Sequence, residues 1–319
     1  MNTPAPTTTN AVEHRLLRGT RLDRILVPTD FSSLSMAGIE AALSLLKGNP
    51  NARLELLHVI EPLPVAGGLQ MSTPPSSESN ELIESAQVEM DRLRATYGQG
   101  LDFTTRVTIG GPIRAISDMA ASGQFDLVVM TSHGRSGVVR ALLGSIAEGV
   151  IHHAICSVLV VKVRTDAKGH WVPGSKDFSW KNLLVGYDHR PGSVAALSLA
   201  ATIAGKSNGH ITLLETIPDF DTRLALNLLQ DVQDNACTLA GARHRLEDVR
   251  LSYSPLSADW SVAAAIGIPC DALVDQAISA RADLVVIGPH GHSRKASHLL
   301  GSTAQRLVRQ APCAVLAVK

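Results

Sequence analysis

Two short stretches carry the chemistry this chain can offer. Thr131-Ser-His-Gly134 and Gly144-Ser145, nine residues further on, lie in the first half; Gly288-Pro-His-Gly291 and Gly301-Ser302 repeat the spacing in the second. Glycines in a loop that follows a buried strand, with a second Gly-Ser opening a helix, present backbone N–H groups that no side chain screens. Such groups cradle phosphate. The pattern therefore predicts a nucleotide-phosphate site, present twice.

The stretches that must position these loops are also written twice. Phe125–Lys162 and Ala282–Lys319 each open on a Val/Leu/Ile run (DLVVM and DLVVI), pass through the glycine loop, enter a helical stretch at Gly-Ser, and close on a second Val-rich run. Runs of this kind are the mark of strands buried on both faces of a parallel sheet. The repetition extends back to Gly110 and Pro112, matched by Gly267 and Pro269, and to Asp118 and Asp126, matched by Asp275 and Asp283, at a constant offset of 157. Nearly half the positions from Ile109 to Lys162 are identical in the second copy, which is a tandem duplication.

In order, the first half reads as strand Arg24–Asp30, helix Met36–Leu46, strand Leu54–Ile60, a Pro/Gly/Ser-rich loop Pro64–Asn80, helix Glu81–Tyr97, strand Phe103–Ile109 and helix Ile113–Ala121, followed by the repeated stretch. The second half reads as strand Leu183–Asp188, helix Val194–Ala204, strand Ile211–Ile217, a long helix Leu224–Leu246, strand Trp260–Ile266, helix Cys270–Ala280 and the repeat. Alternating β and α elements predict an α/β protein of two tandem Rossmann-like, doubly wound, parallel five-stranded sheets. The expected partition is an N-terminal arm over 1–20, domains over 21–164 and 181–319, and a linker over 165–180.

Composition narrows the function classes. With 29 basic and 29 acidic residues among 319, the chain lacks the basic excess of a nucleic-acid binder. No apolar run reaches the roughly 18 residues of a membrane helix, and the start lacks a secretory core, so a cytoplasmic protein is expected. Four cysteines form no disulfide framework; Cys156 and Cys313 hold the same place in the two repeats and are expected to be buried apolar residues.

In an open parallel sheet the crevice lies past the carboxyl ends of the strands, where strand order reverses. With strands one and four adjacent there, Asp30 meets the Thr131–Gly134 loop, and Asp188 meets Gly288–Gly291. A carboxylate beside a phosphate loop suits a hydroxyl or amino group, hence ribose or adenine. The plainer alternative is that Asp30 only caps the following helix. His133 and His290 suit a phosphate contact or the surface, and His152-His153 with Cys156 does not converge as a metal site. Neither half holds a Walker lysine, a nucleophile elbow or a paired base and nucleophile.

The strand-one Asp, the Gly-x-x-Gly loop and the Gly-Ser nine residues on, together with HGRSG, LLGS and the Cys-x-Val-Leu-Val ending, resemble the universal stress protein family in its ATP-binding branch. The likeness spans about Arg24–Val163 and Lys181–Lys319. It implies an adenine nucleotide alpha hydrolase-like fold, ATP with or without magnesium as ligand, and a role in stress adaptation through nucleotide occupancy. By the same resemblance Asp30 holds ribose or adenine, the backbone near Val59 flanks the base, Met130, Thr131 and Gly134 line sugar and phosphates, and Gly144, Ser145 and Ile146 bind phosphate. Their counterparts are Asp188, Thr216, Ile287, Gly288, Gly291, Gly301, Ser302 and Thr303. Two departures stand out: Thr131 replaces a glycine of the family pattern, and Thr216 a valine. If the Thr131 position needs positive φ or very close phosphate approach, the C-terminal site is the tighter one. The Val-rich final strands are expected to pair the halves as an intramolecular pseudo-dimer, with a homodimer as a further option. The competing functions are a slow ATP hydrolase or nucleotidyl transferase on the same fold, and a nucleotide-free interaction module.

Overall fold

The structure, a computed structural model, describes residues 22–62, 77–132, 143–162, 178–217, 219, 238–253, 259–288 and 301–319. These fall into two compact units, within Leu22–Asp177 and within Phe178–Lys319.

The first unit comprises β1 (Arg24–Pro28), α1 (Ser33–Leu46), β2 (Arg53–Ile60), α2 (Ser77–Tyr97), β3 (Asp102–Ile109), α3 (Pro112–Ser122), β4 (Leu127–Thr131), α4 (Ser145–His153) and β5 (Ser157–Val161). All pairings are parallel, in the order β3-β2-β1-β4-β5. Ile25 pairs with Leu54 on one side and with Leu127 on the other, so β1 stands at the reversal of strand order. Ile25, Leu26, Val27 and Leu127–Val129 are wholly buried, as strands covered on both faces require. Pro112 sits in the first turn of α3, where its fixed φ and missing N–H cost nothing. Just before it Gly110 takes a φ of +155°, closed to residues with a Cβ, while its N–H donates to the Ile60 carbonyl.

The second unit repeats the plan with β6 (Asn182–Gly186), α5 (Pro191–Ser207), β7 (His210–Ile217), α6 (Leu239–Ser252), β8 (Asp259–Ile266), α7 (Pro269–Ser279), β9 (Leu284–Ile287), α8 (Ser302–Gln310) and β10 (Ala314–Ala317). Its order is β8-β7-β6-β9-β10, again parallel throughout. Gly267, the partner of Gly110, has a φ of +130°. The repeated aspartates have a structural purpose: Asp126 Oδ2 accepts from the N–H groups of Asp23 and Arg24, and Asp283 Oδ2 from those of Lys181 and Asn182. Each carboxylate fixes the start of its unit's first strand.

Three expectations change. Helix α2 begins at Ser77, so Ser77–Asn80 is helical and not loop; its polar first turn disguised the start. The helix expected over 224–246 is not continuous, because Thr238 adopts extended φ/ψ and caps α6 through a bond from the Gly241 N–H at 3.0 Å; α6 then runs on to Ser252. Cys313 is buried as expected, whereas Cys156 is half-buried.

Candidate functional site

The carboxyl ends of β1, β2 and β4 open into a cavity of about 1150 Å³ in the first unit. Asp30 and Phe31 come from the end of β1, His58 and Val59 from β2, Met130 and Thr131 from β4, and Gly144–Ala147 from the start of α4. Helix α2 supplies a further wall through Leu82, Ser85, Ala86 and Glu89. Of the residues singled out from sequence in this half, Asp30, Val59, Met130, Thr131, Gly144, Ser145 and Ile146 all line the same cavity; Gly134 lies outside the described residues.

The loop after β1 is built to hold Asp30 still. Its Oδ1 accepts from the Ser32 N–H at 3.0 Å and from the Ser32 hydroxyl at 2.6 Å. Ser32 in turn caps α1, accepting from the Ser35 N–H at 3.2 Å. The cap is thus Ser32, not Asp30, and the aspartate buttresses it while lining the cavity. Between them Phe31 takes a φ of +63°, a left-handed conformation that costs a non-glycine residue of order 1–3 kcal/mol and that gathers at functional sites. The Phe31 ring stacks on His58, with centroids 4.1 Å apart and planes at 28°. His58 Nδ1 donates to the Thr29 carbonyl at 2.8 Å, since a carbonyl only accepts; this fixes the ring and its tautomer.

At the other strand end the Gly144 N–H donates to the Ser132 carbonyl at 2.8 Å and ties the α4 start to the end of β4. The backbone donors of the first turn with no intrahelical acceptor are those of Ser145, Ile146 and Ala147, since the Glu148 N–H already donates to the Gly144 carbonyl at 3.0 Å. Thr131 is buried and its φ is not positive, and the φ of Gly288 also lies outside the left-handed region. The expectation of a tighter C-terminal site therefore has no support from positive φ at either position. A Cβ at Gly288 would instead meet the backbone of Gly192 at 2.6 Å, so packing against α5 requires the glycine.

In the second unit Asp188 follows β6, Thr216 lies near the end of β7, Ile287 ends β9 with Gly288 just after it, and Gly301, Ser302 and Thr303 open α8; Gly291 lies outside the described residues. These are the same places in the frame. His189 repeats the left-handed conformation of Phe31, with a φ of +61°. The surroundings differ. His189 Nε2 lies 3.0 Å from Glu215 Oε2, Arg245 on α6 donates to Glu215 Oε1, and Arg190 Nε is 3.8 Å from Asp188 Oδ2. Burial alone would raise the Glu215 carboxyl, but hydrogen bonds from His189 and Arg245, with their charges, outweigh it and hold the group below its ordinary 4.5.

Sequence reasoning missed Phe31 and the α2 wall in the first unit, and His189, Glu215 and Arg245 in the second. Aligning the halves for differences, rather than identities, would have exposed the three positions where these side chains diverge, 31 against 189, 58 against 215 and 89 against 245. A further group, Asp259–His210–Ser261, runs in triad order with separations of 3.1 and 2.8 Å. Thr212 shares the Ser261 hydroxyl at 3.0 Å, and the same cross-strand slot in the first unit holds the Arg53–Asp102 ion pair. It is a cross-strand polar ladder at the amino ends of β7 and β8.

A sequence model of the universal stress protein family matches residues 21–162 and again 179–319. A universal stress protein of Mycolicibacterium smegmatis is 28% identical over 312 residues, covering 92% of this chain and 96% of that protein. Universal stress protein MJ0531 of Methanocaldococcus jannaschii is 32% identical over 145 residues, 44% of this chain and 81% of its own length. The crystal structure of a universal stress protein from Archaeoglobus fulgidus superposes with a TM-score of 0.64 at 21% identity, covering 92% of this chain and 97% of that one, and so shares the fold. With the family pattern matched twice along its length, this chain belongs to the universal stress protein family.

Proposed function

We propose that the chain binds an adenine nucleotide, ATP, in the first unit's cavity and acts as a stress regulator through occupancy of that site. One observation carries the reading: Asp30, the Phe31–His58 stack and the first turn of α4 all line a single cavity at the point of strand reversal. Each suits one part of the ligand. A restrained carboxylate accepts from ribose hydroxyls or the adenine amino group. The aromatic pair offers a surface for the base. The helix start offers N–H groups and the positive end of its dipole to phosphates. The volume is ample for a nucleotide.

Magnesium would arrive with the phosphates: among the described residues no group of three or more His, Cys, Asp or Glu is placed to hold a metal. Occupancy without turnover is the favoured mode: Asp30 Oδ1 is held by the Ser32 N–H and hydroxyl at the cap of α1, and His58 Nδ1 by the Thr29 carbonyl. The expected pairing of the two halves through their Val-rich final strands is likewise proposed, as is residence in the cytoplasm; among the described residues no helix is long and apolar enough to cross a membrane.

Mass spectrometry of small molecules released by denaturing the purified protein tests the reading. Intact ATP is expected. Recovery of ADP alone would point to turnover. If no nucleotide is released, and none binds on addition of millimolar ATP, the proposal is wrong.

A further inference from the structure

The two units place different side chains at matching points of the crevice. Residues 29–35 align with 187–193 at an offset of 158, setting Phe31 against His189 and Ser32 against Arg190. Strands β2 and β7 align at an offset of 157, setting His58 against Glu215. Helices α2 and α6 align at 156: buried Ala86 and Met90 match buried Ala242 and Leu246, Tyr97 matches Tyr253, and Glu89 matches Arg245. Phe31, His58 and Glu89 all line the first cavity. Their three counterparts bind one another, with Glu215 as the shared acceptor between His189 and Arg245.

We infer that the His189–Glu215–Arg245 cluster closes the base end of the second crevice, so that the chain takes one adenine nucleotide, in the first unit alone. This rests on the nucleotide reading of the first unit. The Glu215 side chain is only 12% exposed and has two cationic or hydrogen-bonding partners. A purine entering there must part at least one of them and leave a largely buried carboxylate under-compensated, and among the described residues it meets an edge-on Tyr187–His189 pair, with planes at 78°, in place of the stacked Phe31–His58 pair. The counterpart of Asp30 faces a charge: the Arg190 guanidinium stands 3.8 Å from Asp188 Oδ2, where the first unit has the small neutral Ser32 hydroxyl on Asp30. A carboxylate already facing a guanidinium is a poorer acceptor for ribose. The phosphate end of the frame persists, but the end that selects the base does not.

Equilibrium dialysis of full-length protein, freed of nucleotide by unfolding and refolding, against labelled ATP tests this. One nucleotide per chain is expected. Asp30→Ala should weaken that binding about tenfold or more through loss of a charge-assisted contact, and Asp188→Ala should leave it unchanged. Two nucleotides of similar affinity per chain, or a site that survives Asp30→Ala and vanishes in Asp188→Ala, would overturn the inference. No binding to either unit would instead sink the nucleotide reading itself. Grafting the first unit's residues (His189→Phe, Glu215→His and Arg245→Glu) should open a second binding phase. A graft with a native-like melt that still takes one nucleotide removes the cluster as the cause.

Discussion

The two crevices share a scaffold and differ in lining. Both are framed by parallel strands in the same order, both place an aspartate after the first strand, and both force the next residue into the left-handed region. In the first, Phe31 lies on His58; in the second, His189 and Arg245 converge on Glu215. Backbone features that build the turn have survived duplication, while the side chains that would meet a base have not. The fold therefore provides a place for a ligand in each half, and the lining decides what can enter it.

The sharpest way to break this comparison is to remove its central acceptor. Glu215→Ala leaves His189 and Arg245 without their shared carboxylate and should cost about 2–3 kcal/mol, the lower side of a buried pair because both partners are about a third exposed. His58→Ala in the first unit should cost clearly less. Chemical denaturation of the two variants checks the ranking; equal losses would mean that the cluster is a surface ion pair of little weight.

A second contrast lies at Thr131 and Gly288. Gly288→Ala drives a Cβ against the Gly192 backbone and should cost about 1–3 kcal/mol by overpacking. Thr131→Gly should cost about 1 kcal/mol through strand entropy, without strengthening ATP binding. A tenfold gain in ATP affinity from Thr131→Gly would restore the view that this position limits phosphate approach.

How much of this was legible follows from where the information lies. Val-rich runs, the doubled glycine spacing and Asp30 are local signals that located the sheet and the strand reversal, and the family resemblance they carry implied the seven residues that line one cavity wall. The α2 wall was not legible: Leu82, Ala86 and Glu89 reach the strand ends only through tertiary packing of a helix whose polar first turn reads as loop. The Phe31–His58 stack joins residues on different strands, and the charged cluster joins three elements. At Gly288 the sequence shows that a glycine is present, but not that a Cβ there would meet the Gly192 backbone of a neighbouring helix.

The smallest effect concerns acid. Glu215 titrates below 4.5 in the folded chain, so its contribution to stability is complete above about 4.5 and is lost as pH falls through the lowered value. Glu40, on α1 of the first unit, has the opposite sign: burial raises its carboxyl, so its cost is present above the raised value and lifts as pH falls to 4.5. Melting curves of Glu215→Gln and Glu40→Gln against the parent between pH 7 and about pH 3 should show the first deficit shrinking below 4.5 and the second variant's advantage shrinking as pH falls to 4.5. A pH-independent difference in either would contradict the assignment.

The central claim, that the first unit's crevice holds the nucleotide, is tested most directly by thermal melts of nucleotide-free protein with and without ATP. Binding to the folded state alone at a hundred times the dissociation constant adds about 2.7 kcal/mol. ATP should raise the melting temperature of the parent and of Asp188→Ala equally, and that of Asp30→Ala by about half as much or less. An unmoved parent, or a full shift that persists in Asp30→Ala, would contradict the account.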